Sequence, residues 1–151
     1  MDDLKQAFTN RCILIPFFLW LAIQMIKFVT DLIVNKKINF KRLLGAGGMP
    51  SSHSAVVSSL AMCVGKQYGF GSGIFAIAWI MALVVMYDAA GVRRAAGKQA
   101  RILNRIIESD GKDINVQDKL VELLGHTPVE VFVGFIVGIL MGVLFCHLWD
   151  L

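Results

Sequence analysis

The sequence lacks the features that mark a metalloenzyme or a disulfide-stapled secreted scaffold. Its three cysteines, Cys12, Cys63 and Cys146, form no CxxC pair. Each lies within or beside an apolar run, so they read as small core residues and imply neither a zinc site nor a disulfide framework. No Cys/His/Asp set has metal-ligand spacing, so no metal and no other cofactor is expected. No small-residue cleavage site follows the first apolar run, which Gln24, Lys27 and Asp31 interrupt; it reads as a retained membrane span. Repeats and low-complexity segments are absent. Polarity is scarce as well, with 56% hydrophobic residues and a mean hydropathy of +0.65. Soluble domains hold roughly 45–50% apolar residues, so the bilayer is the expected solvent.

What is present is a set of apolar runs. A helix needs about 20 residues to cross a hydrocarbon core of about 30 Å. Cys12 to Val34, Gly73 to Ala90 and Val129 to Leu148 are long enough, while Ser54 to Tyr68 is shorter and rich in small residues, either a shielded span or a re-entrant helix. The expected fold is all-α, a single polytopic transmembrane helix bundle over residues 1–151 with about four spans. Gly134, Gly138 and Gly142 give the last span one smooth face, where another helix approaches closely; a homodimer through that face is one expectation.

The one long polar region, about residues 91–127, carries two helical patterns separated at Asp110-Gly111. In the first, Val92, Ala95, Ile102 and Ile106 recur at helical spacing against Arg94, Lys98, Arg101 and Arg105. This predicts a basic amphipathic helix at the membrane surface or over the bundle. Gly125 suits the end of the second helix, and Thr127-Pro128-Val129-Glu130 has the form of a capping box with proline at the first helical position. Lysine and arginine concentrate in the loops around 35–50 and 91–127, whereas the loop between the second and third spans has Lys66 alone. The positive-inside rule then puts both basic loops in the cytoplasm and both termini outside. The expected location is a bacterial cytoplasmic membrane.

Span counting brings the unusual residues to one membrane face. GGMPSSHS opens the second span, YDAAGVRR closes the third and GHTPVE opens the fourth. Ser51 and Ser52 at a helix start, with His53, Arg93, Arg94, His126 and Glu130, have the parts of an anion site, because helix N-termini present free N–H groups and positive dipole. The natural anion at a membrane surface is a lipid phosphate. Two histidines exceed what binding needs: one imidazole can attack phosphorus while the other protonates the leaving oxygen. Glu130, one turn after His126, can hold its Nδ1 proton. Simpler roles compete: Ser51 and Ser52 as plain N-caps, Arg93 and Arg94 as interfacial anchors, Glu130 as the capping-box residue. Lys27 and Asp31, spaced i, i+4 inside the first span, either pair structurally or bring Lys27 to the phosphate. Asp88 near Arg93 has the same ambiguity, and His147 beside Trp149 reads as interfacial.

These blocks resemble a family. MPSSHSA is similar to the PSGHS signature of the type 2 phosphatidic acid phosphatase superfamily, related to vanadium-dependent haloperoxidases. Closer still is its divergent branch of small integral membrane proteins, whose pattern looks like GGMPSSHSA, MYDAAGVRRAAGKQA and LLGHTPxEV across nearly the whole chain. The resemblance implies that His126 is the nucleophile, His53 the acid for the leaving group and Glu130 the residue that orients the nucleophile. It implies phosphate binding by an arginine, here Arg93 or Arg94, which stand far upstream of His126 with a helical excursion between. Ser52 stands where the wider family has glycine, and the first basic block of that family is not found as such; Lys27, Lys41 or Arg42 takes its place, with Asp31, Asp88 and Lys98 in support. The implied function is a membrane hydrolase of phospholipid metabolism, a phosphoric monoester hydrolase acting on phosphatidylglycerol phosphate, phosphatidic acid or a polyprenyl diphosphate through a phosphohistidine. The alternative is a non-catalytic carrier or binding protein for an anionic lipid headgroup. Expected partners are the lipid substrate and the bilayer, with no nucleic acid.

Overall fold

The computed structural model describes residues 2–36, 48–109, 120, 122 and 124–149, all helix and connecting turns. The helices are α1 Asp2–Thr9, α2 Arg11–Asn35, α3 Ser52–Tyr68, α4 Gly73–Ala90, α5 Val92–Ser109 and α6 Pro128–Leu148. Their ends follow local side-chain chemistry. Asn10 breaks α1 from α2 by taking an extended conformation and accepting from the N–H of Cys12 at 2.9 Å. Ser72 caps α4 by accepting from Phe75 N–H at 3.2 Å. Thr127 and Glu130 make the reciprocal capping box that the sequence predicts, with Pro128 inside the first turn. The second helical pattern expected after Asp110-Gly111 lies outside the described residues.

Three helical stretches are long and apolar enough to cross a membrane: Arg11–Asn35, Gly73–Glu108 and Pro128–Leu148. Large side chains such as Ile77 and Phe132 project outward from them, 71% and 63% exposed, as a lipid-facing surface requires. Helix α3 is different. At 17 residues it is about 26 Å long, short of the hydrocarbon thickness. It is enclosed by α2, α4 and α6, and its serines, alanines and Cys63 are buried. Small residues let its neighbours close around it.

The glycines of α6 show how closely. A Cβ on Gly134 would stand 2.4 Å from the carbonyl of Ser51, one on Gly138 would stand 2.4 Å from that of Ala55, and one on Gly142 would stand 3.0 Å from the Cα of Ser59. The face expected to meet a second copy is filled by α3 of the same chain. Ser58 donates to the Ser54 carbonyl at 2.6 Å, and the carbonyl of Phe135 lies 3.3 Å from the same hydroxyl across the interface. Parallel packing of α3 on α6 places their first turns together at one end. At the other end Cys12, Cys63 and Cys146 join one buried cluster, with the sulfurs of Cys63 and Cys146 3.1 Å apart.

Candidate active site

Three segments distant in the chain are tied at the first-turn end of α3 and α6. The N–H of Ser51 donates to the carbonyl of Glu130 at 3.0 Å, and the N–H of His126 donates to that of Ala89 at 2.9 Å. Between them Gly125 has φ +80, and a Cβ there would lie 2.3 Å from the backbone nitrogen of Arg94. Only glycine allows both that conformation and that approach. The LLGHT turn is thus pressed against the start of α5, and His126 is carried inward.

His53 and His126 meet edge to face, with ring centroids 5.8 Å apart. His126 is only 2% exposed. Its Nδ1 lies 3.4 Å from Oε2 of Glu130, an oxygen that also accepts from the N–H of Thr127 at 2.8 Å. One carboxylate serves the helix cap and faces the imidazole. The approach to Nδ1 lacks the alignment of a hydrogen bond: neither nitrogen of His126, nor Nδ1 of His53, has a hydrogen-bond partner. Buried polar atoms normally find partners, so three orphaned ring nitrogens in one place call for a functional explanation. Burial lowers the pKa of His126, the positive charge of Lys27 lowers it further, and Glu130 offsets part of the effect. His126 is therefore the neutral imidazole at neutral pH, with a free lone pair.

Cations surround the pair. Lys27, 5% exposed on α2, is near enough for its charge to act on both histidines. Arg93 acts on His53 while bonding Asp88 at 2.7 Å. Arg94, Lys98 and Arg101 line a cavity of about 440 Å³ that reaches His126, Thr127 and Glu130. A second cavity of about 300 Å³ is lined by Lys27, Asp31, Asn35 and Met49, and Asn35 donates to Asp31 at 2.9 Å within it. Gly48, at φ +79, borders both cavities. Ser51 and Ser52 are buried, and the hydroxyl of Ser51 is engaged in capping, 3.4 Å from the Ser54 N–H and 3.0 Å from its hydroxyl. What they leave for an anion is the first-turn N–H groups of Ser52 and His53, which have no intrahelical acceptor. Lys41 and Arg42 lie outside the described residues.

Residues 8–141 match the family model described as the divergent PAP2 family, a span that holds both histidines, both arginines and Glu130. The chain belongs to the divergent PAP2 family. A relative, the "Uncharacterized membrane protein YuiD" of Bacillus subtilis (strain 168), is 41% identical over 130 residues, covering 78% of this chain and 82% of its own length. No solved structure matches the chain. In this divergent PAP2 chain one part of the site surroundings escaped sequence reasoning. Buried Asn104 donates to the Leu120 carbonyl and to Glu122, each at 2.9 Å, and Glu122 bonds Arg101 at 3.3 Å. This network clips α5 against the segment leading to His126. The signal was an asparagine in line with Gly97 and Ala100, on the stripe of α5 that packs.

Proposed function

We propose that this divergent PAP2 protein is a membrane lipid phosphatase that removes a phosphate from a lipid phosphomonoester or diphosphate through a phosphohistidine. The observation that carries the reading is the edge-to-face contact of His53 and His126 with unpartnered, buried ring nitrogens. Nδ1 of His126 faces Glu130, so Nε2 is the attacking atom. Its lone pair forms the N–P bond as the bond from phosphorus to the lipid oxygen breaks, and His53, protonated once the negative charge of the phosphate lies beside it, gives that oxygen its proton. Water then attacks phosphorus, His53 takes the proton from water, and the N–P bond breaks to release inorganic phosphate. Lys27 with Arg93 offsets charge on the equatorial oxygens, and the first turn of α3 adds N–H donors. Glu130 orients His126 and stabilises the charge it gains.

The lysine and arginine distribution supports a cytoplasmic site with both termini outside, hence lipids of the inner leaflet. Phosphate release by the purified protein from phosphatidic acid, phosphatidylglycerol phosphate and a polyprenyl diphosphate tests the reading, with His126→Ala and His53→Ala alongside. Release from at least one lipid, lost in both variants, is expected. Undiminished release in the variants overturns the site, and saturable binding without any release turns the reading to an anionic-headgroup carrier.

A further inference from the structure

The larger cavity is cationic beyond what one phosphate uses. Arg94 and Lys98 stand one helical turn apart on α5, so their stems share a face, and both line the cavity that reaches His126. The third cation there, Arg101, is bonded to Glu122, which Asn104 also holds. The other carboxylate, Glu130, is engaged by Thr127 and lies against His126. Among the described residues, Arg94 and Lys98 therefore bring two positive charges to the cavity without an acidic partner. The reacting position is supplied from another direction, by Lys27 on α2 and by Arg93. Space agrees with charge: the cavity, about 440 Å³, is larger than a single phosphoryl group needs. Beside this basic stripe α5 exposes Val92, Ile102 and Ile106, an apolar stripe suited to the membrane interface, where headgroup phosphates lie.

We propose that Arg94 and Lys98 form a second anion subsite that takes a second phosphate of the same lipid. The preferred substrate then carries two phosphates, as a diphosphate or as a phosphomonoester on a phosphodiester headgroup. The proposal rests on the phosphatase reading and narrows its substrate class. Turnover is compared on phosphatidic acid, phosphatidylglycerol phosphate and a polyprenyl diphosphate. The wild type favours at least one two-phosphate lipid over phosphatidic acid, and which one tells a phosphodiester from a diphosphate. Arg94→Ala and Lys98→Ala each lower that preference about tenfold, the worth of one charge-assisted contact, while Lys98→Arg retains it. Wild-type preference for phosphatidic acid, or a preference unmoved in both alanine variants, overturns the subsite.

Calorimetric titration with inorganic pyrophosphate and orthophosphate separates the two layers of the proposal. Pyrophosphate binds about tenfold more tightly to the wild type and loses that advantage in Lys98→Ala. Equal binding of the two anions by the wild type overturns the subsite even where lipids are hydrolysed. A pyrophosphate advantage that disappears in the variants, with no lipid hydrolysed, leaves the subsite standing and removes the phosphatase reading.

Discussion

Helix α3 runs between two buried clusters of opposite character. At its first turn it joins His53 to His126 and Lys27; some ten residues on, about 15 Å along the axis, it joins Cys63 to Cys146 and Cys12. Both ends draw side chains from α2 and from the segment or helix of α6. The cysteine end is satisfied, because thiols are small, soft and content among Ile15, Ala61 and Val64. The histidine end is not, because imidazole nitrogens buried without partners cost free energy that packing alone does not return. Convergence of reactive residue types is thus a poor sign of function by itself. Unsatisfied polarity beside clustered cations is the better one.

The contrast can be broken by mutation, beginning with the largest effect. His126→Gln should lower phosphate release at least about 10³-fold, since it removes the attacking nitrogen. Glu130→Gln keeps a competent capping residue and removes the charge, so release should fall about 10–100-fold with helix content unchanged by circular dichroism. Gly138→Ala strikes the packing that holds the two ends in register: its methyl would meet Ser58 and Ala55, and thermal unfolding in detergent should show a loss of about 1–3 kcal/mol. Cys63→Ala, at the satisfied end, should cost about 1 kcal/mol and leave turnover within about twofold. A large loss of turnover in Cys63→Ala with the fold intact would erase the contrast.

Acid should separate the ends as well. The pKa of His126 is lowered in the folded protein, mainly by burial. A lowered pKa means that the folded state resists protonation. Its contribution to stability is complete above the unfolded value, about 6.5, and is lost as pH falls through the folded one. The acid limb of turnover should accordingly inflect below the ordinary histidine range, and His126→Gln should unfold with a weaker acid dependence than the wild type. Turnover and unfolding measured across the acid range check both.

Much of this was legible in the sequence, for identifiable reasons. The MPSSHSA, VRR and GHTPVE blocks are polar interruptions of apolar runs, and counting spans brings them to one end of the bundle. Thr127 and Glu130 announce a cap through strictly local spacing. What was not legible depends on which surface meets which. The stripe of Gly134, Gly138 and Gly142 says that something packs closely, but not that α3 of the same chain does so. Cys63 and Cys146 touch across a long stretch of chain, and Asn104 finds Glu122 at a separation of 18 residues, which no periodicity reveals. The division of cations between Lys27 near the histidines and Arg94 with Lys98 in the larger cavity likewise required the fold.

The central claim is that Nε2 of His126 forms a bond to phosphorus. Acid-sparing quench of the protein during turnover of a lipid substrate, followed by peptide mass spectrometry under conditions that preserve N–P bonds, tests it directly. The account predicts a phosphoryl group on the peptide carrying His126 in the wild type, absent in His126→Gln. Turnover with the phosphoryl group on another residue, or undiminished turnover in His126→Gln, would contradict it.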